Sequence, residues 1–300
     1  MQKFTSFFRD LDEQNTNERF NYIFEQFQTL EEKLITFGGK AYPNFGTVVI
    51  MAGGAGSGKG FVKDNLVGVE GKVFDVDELK KIASKAPLIK KRVKDEFGVD
   101  LEDLSKNLKD PDNVSKLHEI IGDALDIPDA RFKRFITSVL SAAPDRKPNI
   151  IFDVTLKDLR KLEKLTRQAA SLGYSKENIH IVWVVNDIEV ALDQNAKRDR
   201  TVRADILVNT HRGAAATMAD IINMGNSLKK YMDGDIVFAF NKIKVDSDLQ
   251  KSEKGGSYIT DANYFYVKRQ GKAATPQKKL STDLKNKIAS YVPAGISWAD

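Results

Sequence analysis

The residues with the plainest chemistry are Gly53-Gly54-Ala55-Gly56-Ser57-Gly58-Lys59-Gly60, which follow the apolar run Thr47-Val48-Val49-Ile50-Met51-Ala52. Glycines let successive backbone N–H groups turn toward one centre without a Cβ clash, and a helix opening there adds the positive end of its dipole. Lys59 supplies a point charge for β- and γ-phosphates. The spacing G-x-x-x-x-G-K-[ST] is met at Gly53, Gly58 and Lys59 and fails at Gly60, where a hydroxyl would otherwise ligate Mg²⁺. A glycine-rich turn that holds nothing is the competing reading, and a β-branched strand in front with a lysine behind weighs against it. The expectation is a nucleoside triphosphate, ATP or GTP, held with Mg²⁺ by the residues from Gly53 to Phe61. Water or a nearby carboxylate can stand in for the hydroxyl that Gly60 lacks, because Mg²⁺ keeps several waters and needs few protein ligands.

Carboxylates and arginines further along suit phosphoryl transfer. Asp77, in Phe74-Asp75-Val76-Asp77-Glu78-Leu79-Lys80, follows a second apolar run, where an acid takes or orients the proton of an acceptor hydroxyl, with Lys80 on the same substrate side. Its competing role is a helix cap. Asp153 ends a third run and is placed to hold Mg²⁺ directly or through water, with the Thr155 hydroxyl two residues on; its competing role is the cap of the next helix. Arg198, Arg200 and Arg203 lie between two helical stretches and can close over phosphates to neutralise developing charge, against the plainer role of a solvated helix face. Each alone is ambiguous, but their order behind the glycine loop matches what phosphoryl transfer requires. His118, His180 and His211 are far apart and read as surface or strand-end residues before a metal site. The absence of cysteine excludes disulfides, thiolate zinc sites and a cysteine nucleophile.

These residues need a scaffold, and the alternation of apolar runs with helical stretches supplies one. Strands are expected at 47–52, 72–76, 149–153, 179–185 and 236–240, the last completing the sheet. Helices are expected at about 58–66, 157–172 (stopped by Gly173), beyond Asp187, and 209–232, with a long helical stretch at about 78–142 broken by Pro87, Pro111 and Pro128. That order predicts an α/β fold, a doubly wound parallel sheet with ligands at the carboxyl ends of its strands. An amphipathic helix carrying Phe20, Ile23, Phe24, Phe27, Leu30 and Leu34 is expected ahead of it, capped by Asn15 and Glu18 and stopped at Gly38-Gly39. Behind the sheet, Gly255-Gly256 and Tyr264-Phe265-Tyr266 suggest a small hairpin and a terminal helix, with 273–279 as a linker.

Composition fits one large core or one core with a small annex: 300 residues, 41% hydrophobic and 30% charged. Net charge +5 with 47 basic against 42 acidic residues favours anions and permits nucleic acid without demanding it. No run approaches eighteen apolar residues, and Met1-Gln2-Lys3-Phe4 soon meets Asp10, Asp12 and Glu13, so no membrane span is expected and a cytoplasmic location is.

Four stretches together resemble a known group: 54–59 (Gly-Ala-Gly-Ser-Gly-Lys), 74–80, 150–158 (Ile-Ile-Phe-Asp-Val-Thr-Leu-Lys-Asp), and 195–212 with Asn-Ala-Lys-Arg-Asp-Arg and Asn-Thr-His-Arg. Over roughly 45–240 the chain is similar to the zeta-toxin and polynucleotide-kinase group of P-loop kinases, including kinases predicted in tailed-phage genomes, for which the cytoplasm would be a host's. The resemblance implies a P-loop NTPase-type core at 45–245 with a helical insertion at about 80–147 and an arginine-bearing lid. A helical extension at 1–44 and a hairpin-and-helix extension at 246–300 flank it. It implies Lys59 on the β/γ-phosphates, Asp77 facing the acceptor hydroxyl, Asp153 and Thr155 on the substrate and metal side, and Arg198, Arg200 or Arg203 as lid arginines. Two departures stand: Gly60 replaces Ser or Thr, and Asp153 replaces the glutamate usual in zeta toxins. The implied activity is ATP- or GTP-dependent, Mg²⁺-dependent transfer of the γ-phosphoryl group to a hydroxyl, on a polynucleotide 5′ end or a nucleotide sugar. The alternative is a non-catalytic NTP-binding protein with a degraded metal site that acts through a partner.

Overall fold

The computed structural model describes residues 34–125, 127, 135, 139–140, 142–197, 201–241, 249–251, 257–259, 264–296 and 298, with backbone alone at 76–78, 81, 123, 144, 249–251 and 257–259. The expected cap pair and the expected helix up to residue 33 lie outside these residues, while Leu34, expected at the end of that helix, sits in a bend. The turn at its end is described: Phe37 and Lys40 bridge around Gly38 and Gly39, both left-handed.

A six-stranded sheet in the order β2-β3-β1-β4-β5-β8 organises the chain. Its strands are β1 (Val48–Ala52), β2 (Lys72–Asp75), β3 (Ile150–Asp153), β4 (Ile179–Asn186), β5 (Ile236–Asn241) and β8 (Tyr264–Lys268). The first five are parallel; β8 joins β5 antiparallel. β1, β4 and β5 are buried at every position, the near-continuous apolar pattern of parallel strands covered on both faces. Burying each such valine or isoleucine contributes about 1.5–3 kcal/mol. Odd and even positions divide between two cores. Val49, Met51, Val182, Val184 and Val237 pack with Ile35, Phe37 and with Val62 and Leu66 of α1 (Lys59–Leu66). Ile50, Phe152, Ile181, Trp183 and Phe238 pack on the opposite face. There they meet α6 (Leu159–Ser171), α8 (Ala204–Asn223) and α9 (Thr282–Tyr291). The fold is thus the doubly wound α/β sheet the alternation predicts, with an antiparallel edge added.

Between β2 and β3 lie α2 (Val76–Lys85), α3 (Pro87–Phe97), α4 (Leu101–Lys106), α5 (Pro111–His118) and a π-helical turn, Glu119–Ala124. They share a core of their own, with Ala83, Val93, Leu101, Leu117 and Ile121 at its centre. Prolines at the starts of α3 and α5 break the stretch where a missing N–H costs nothing.

Four expectations need correction. β5 does not complete the sheet, because the aromatic run 264–266 forms the edge strand β8, and the small hairpin is instead β6 (Leu249–Lys251) with β7 (Ser257–Ile259). The stretch 273–279 is anchored: Ala274 is buried, Thr275 N–H donates to Val267 O and Gln277 N–H to Asn223 Oδ1. The helix expected over 209–232 starts at Ala204 and stops at Asn223, because Gly225 turns left-handed and a 3₁₀ turn follows. β2 ends at Asp75 and not at Val76, so Asp77 is the second residue of α2.

Candidate functional site

β1 runs through α1 to β2 on one side of the sheet, while β4 runs through α7 (Ile188–Ala196) and α8 to β5 on the other. Crossovers that diverge from adjacent strands open a crevice at their carboxyl ends. The glycine loop fills that end of β1. Gly53, Gly56 and Gly58 have φ of 146°, 76° and 84°, which only glycine adopts without strain.

Side chains tie down five consecutive carbonyls of the loop. Lys59 Nζ donates to Gly53 O at 2.9 Å and Gly54 O at 3.2 Å. His211 Nε2 donates to Ala55 O at 2.8 Å, a carbonyl being able only to accept. Asn186 Nδ2 donates to Gly56 O at 3.2 Å, and Asn241 Nδ2 to Ser57 O at 2.9 Å. With the acceptors occupied, the loop offers donors. The N–H groups of Lys59, Gly60 and Phe61 open α1 and have no intrahelical acceptor. These helix N-terminal N–H groups beside one ammonium make an arrangement suited to a multiply charged anion.

Asp153 ends β3 with its carboxylate 3.6 Å from Lys59 Nζ, and Asp75 stands in register with it on β2. The competing role of Asp153 as a cap is excluded: Asp158 caps α6, accepting from Arg160 N–H at 2.8 Å. Thr155 meets the loop through its carbonyl, which accepts from Gly53 N–H at 3.3 Å. Leu156 next to it has φ 49°, the one non-glycine residue with positive φ among those described. That conformation costs about 1–2 kcal/mol and is held by a side chain fully buried in the core.

Gly60 is exposed, and a Cβ there would meet nothing within 4 Å. Ser57 does not replace its missing hydroxyl, for Ser57 is fully buried beneath the loop. Phe61 packs at the edge of the core under α1. Lys80 is buried on α2, and the side chain of Asp77 lies outside the described atoms. Arg198 and Arg200 lie outside the described residues. Arg203 opens α8, half exposed, with Asp205 at 3.1 Å and Asp112 of α5 at 3.9 Å. The described ends of that arginine stretch are pinned. Asn195 exchanges two hydrogen bonds with Val202, at 2.7 and 2.9 Å, and Thr201 bonds the carbonyls of Leu108 and Lys109.

Asn186 and Asn241 escaped the sequence reading, and Thr210 and His211 entered it within the 195–212 stretch, without a role at the site. The asparagines carried a signal: each is the sole polar residue closing an apolar strand, Val-Trp-Val-Val-Asn and Phe-Ala-Phe-Asn, at the end where ligands bind. His211, expected at a surface or strand end, is buried in mid-helix on α8. Burial holds its pKa below the ordinary value and the charge on Lys59 adds to this, against the hydrogen bond to Ala55 O. His118 is exposed and His180 is the second residue of β4.

No protein-family model matches the chain, and no curated protein does. Among solved structures it is similar to the AvrRxo1-ORF1:-ORF2 complex with ATP, at 14% identity over 89% of this chain and 69% of that one, with a TM-score of 0.42. It is also similar to a structure of the PezAT chromosomal toxin-antitoxin system of Streptococcus pneumoniae, at 11% identity over 90% of this chain and 91% of that one, with a TM-score of 0.44. No helix among the described residues is long and apolar enough to cross a membrane.

Proposed function

We propose that the chain binds ATP or GTP at Gly53–Phe61 and transfers the γ-phosphoryl group to a hydroxyl. The observation that carries this reading is the loop whose carbonyls from Gly53 to Ser57 are all held by side chains, with Lys59 and Asp153 at its mouth. Mg²⁺ fits these donors through Asp153, directly or by water, with Asp75 on the next strand end; Gly60 contributes nothing. Bound there, Mg²⁺ would supply charge neutralisation on the β- and γ-oxygens. Lys59 would exchange a loop carbonyl for a phosphate oxygen. In the transfer, the bond from the γ-phosphorus to its β-bridging oxygen breaks as the acceptor oxygen bonds to phosphorus, and the hydroxyl proton passes to Asp77. Lys80, Asp153 and Thr155 belong to the acceptor side of this reading, and Arg198, Arg200 and Arg203 to its lid. The acceptor is a polynucleotide 5′-hydroxyl, favoured by the net charge of +5, or a nucleotide sugar, favoured by the stretch from Asp153 to Asp158.

A second reading, a non-catalytic triphosphate binder acting through a partner, is favoured by Gly60 alone. One assay separates them: Mg²⁺-dependent transfer from γ-labelled ATP and GTP to RNA and DNA oligonucleotides, nucleosides and UDP-sugars. The expected result is a labelled acceptor, with Asp77→Asn keeping nucleotide affinity and lowering transfer by about two orders of magnitude or more. Lys59→Ala should lose both binding and transfer. Tight triphosphate binding with no acceptor labelled supports the second reading, and transfer undiminished in Asp77→Asn moves the acid to Asp75 or Asp153.

A further inference from the structure

The loop is held from above by one helix, and that contact has its own chemistry. Thr210 and His211 of α8 take both polar groups of Ala55: its N–H donates to Thr210 Oγ1 at 3.0 Å, and its carbonyl accepts from His211 Nε2 at 2.8 Å. Thr210 can accept there because its own hydroxyl proton goes to Leu207 O at 2.7 Å. The imidazole also lies flat against the chain one residue earlier. A Cβ at Gly54 would sit 2.1 Å from His211 Cδ2, although the φ of Gly54 is not left-handed. Glycine is needed at 54 because of the ring, not because of the backbone. Gly213, two residues further along α8, packs so closely on Lys157 that a Cβ would come within 2.7 Å of it, which seats the helix beside the loop that follows β3.

We propose that His211 is a positioning residue for the phosphate loop: its Nε2–H holds the Ala55 carbonyl toward α8 and so sets the direction of the neighbouring N–H groups. This rests on the reading of the loop as a nucleotide site. The ring is enclosed between α8 and the loop, with its donor nitrogen committed to Ala55 O, so it acts through the loop and not on the reacting atoms. Gly54 and His211, far apart in sequence, share one space, so the residue at one limits the residue at the other.

The test is ATP titration with Mg²⁺ on the full chain as wild type, His211→Ala, His211→Gln, Gly54→Ala and the double variant Gly54→Ala/His211→Ala, each with a thermal melt. His211→Ala should weaken ATP about tenfold or more, as expected for a lost hydrogen bond and a freed peptide. Glutamine places an amide nitrogen where Nε2 stood, so His211→Gln should recover affinity to within about threefold of wild type. Gly54→Ala should lose most binding, and the double variant should bind no worse than His211→Ala alone, because the clash has gone. Wild-type affinity in His211→Ala, or in a folded Gly54→Ala, overturns the proposal, as does a double variant in which the two losses multiply. Wild-type protein without ATP affinity overturns the nucleotide reading and the proposal together, and that arm distinguishes the two failures. If His211→Ala does not fold, Gly54→Ala and His211→Gln still decide.

Discussion

Gly60 shows how much a single missing side chain is asked to explain. It stands second in α1, exposed, with no atom near the place its Cβ would occupy. A serine therefore enters without strain and, as a better helix former than glycine, at no cost to the helix. Gly60→Ser should bind ATP with Mg²⁺ as tightly as wild type or more so, measured by calorimetric titration with and without the metal. A sharp loss would mean that the bare backbone at 60 is itself in contact with the ligand. The contrast with Gly58 is physical: there φ is 84° and a Cβ would lie 1.9 Å from Asn241 Nδ2, so Gly58 is fixed by its surroundings and Gly60 is not. The sequence displayed both as the same letter, and only the neighbours of each tell them apart.

At the level of elements, the five parallel strands were legible because each is a short, unbroken apolar run between helical stretches, and the ends of β1, β2 and β3 fell within two residues of their expected places. What the sequence hid were contacts made across long separations. β8 is an aromatic run in a polar setting, and its place depends on β5 having a free edge. Asn186, Asn241 and His211 reach the loop from elements more than a hundred residues away, by hydrogen bonds that leave no local pattern. A local contact holds the chain just past Arg198 and Arg200, seven residues on from Asn195. Asn195 bonds both backbone groups of Val202 and is itself buried. Asn195→Ala leaves those groups without partners and should cost about 1–3 kcal/mol. Thermal unfolding should show a correspondingly lower midpoint; an unchanged one would mean that the chain there is held by other contacts.

For the whole molecule, the last helix, with Val292, Ile296 and Trp298 after it, belongs to the core that covers one face of the sheet. Ile288 and Tyr291 of α9 are buried there, and Trp298 is fully enclosed, its ring 5.4 Å from Trp183 and 5.9 Å from Phe238. Trp298→Ala opens a large cavity and should lower stability by about 3–5 kcal/mol in denaturant unfolding. A small change would show that the terminal segment packs loosely against β4. The same stacking has an optical consequence. Trp183 and Trp298 are the only two tryptophans in the chain, so all of its indole absorption and emission arises from one pair of rings tilted 31° to each other. At that separation the strong far-ultraviolet transitions of the two indoles should couple, and the far-ultraviolet circular dichroism should carry a paired positive and negative band that vanishes when the terminal segment detaches. Trp183 pairs in register with Ala52, the residue just before Gly53. This intrinsic chromophore therefore reports on whether the carboxyl end of the chain is docked on the strands beneath the loop, with no dye attached.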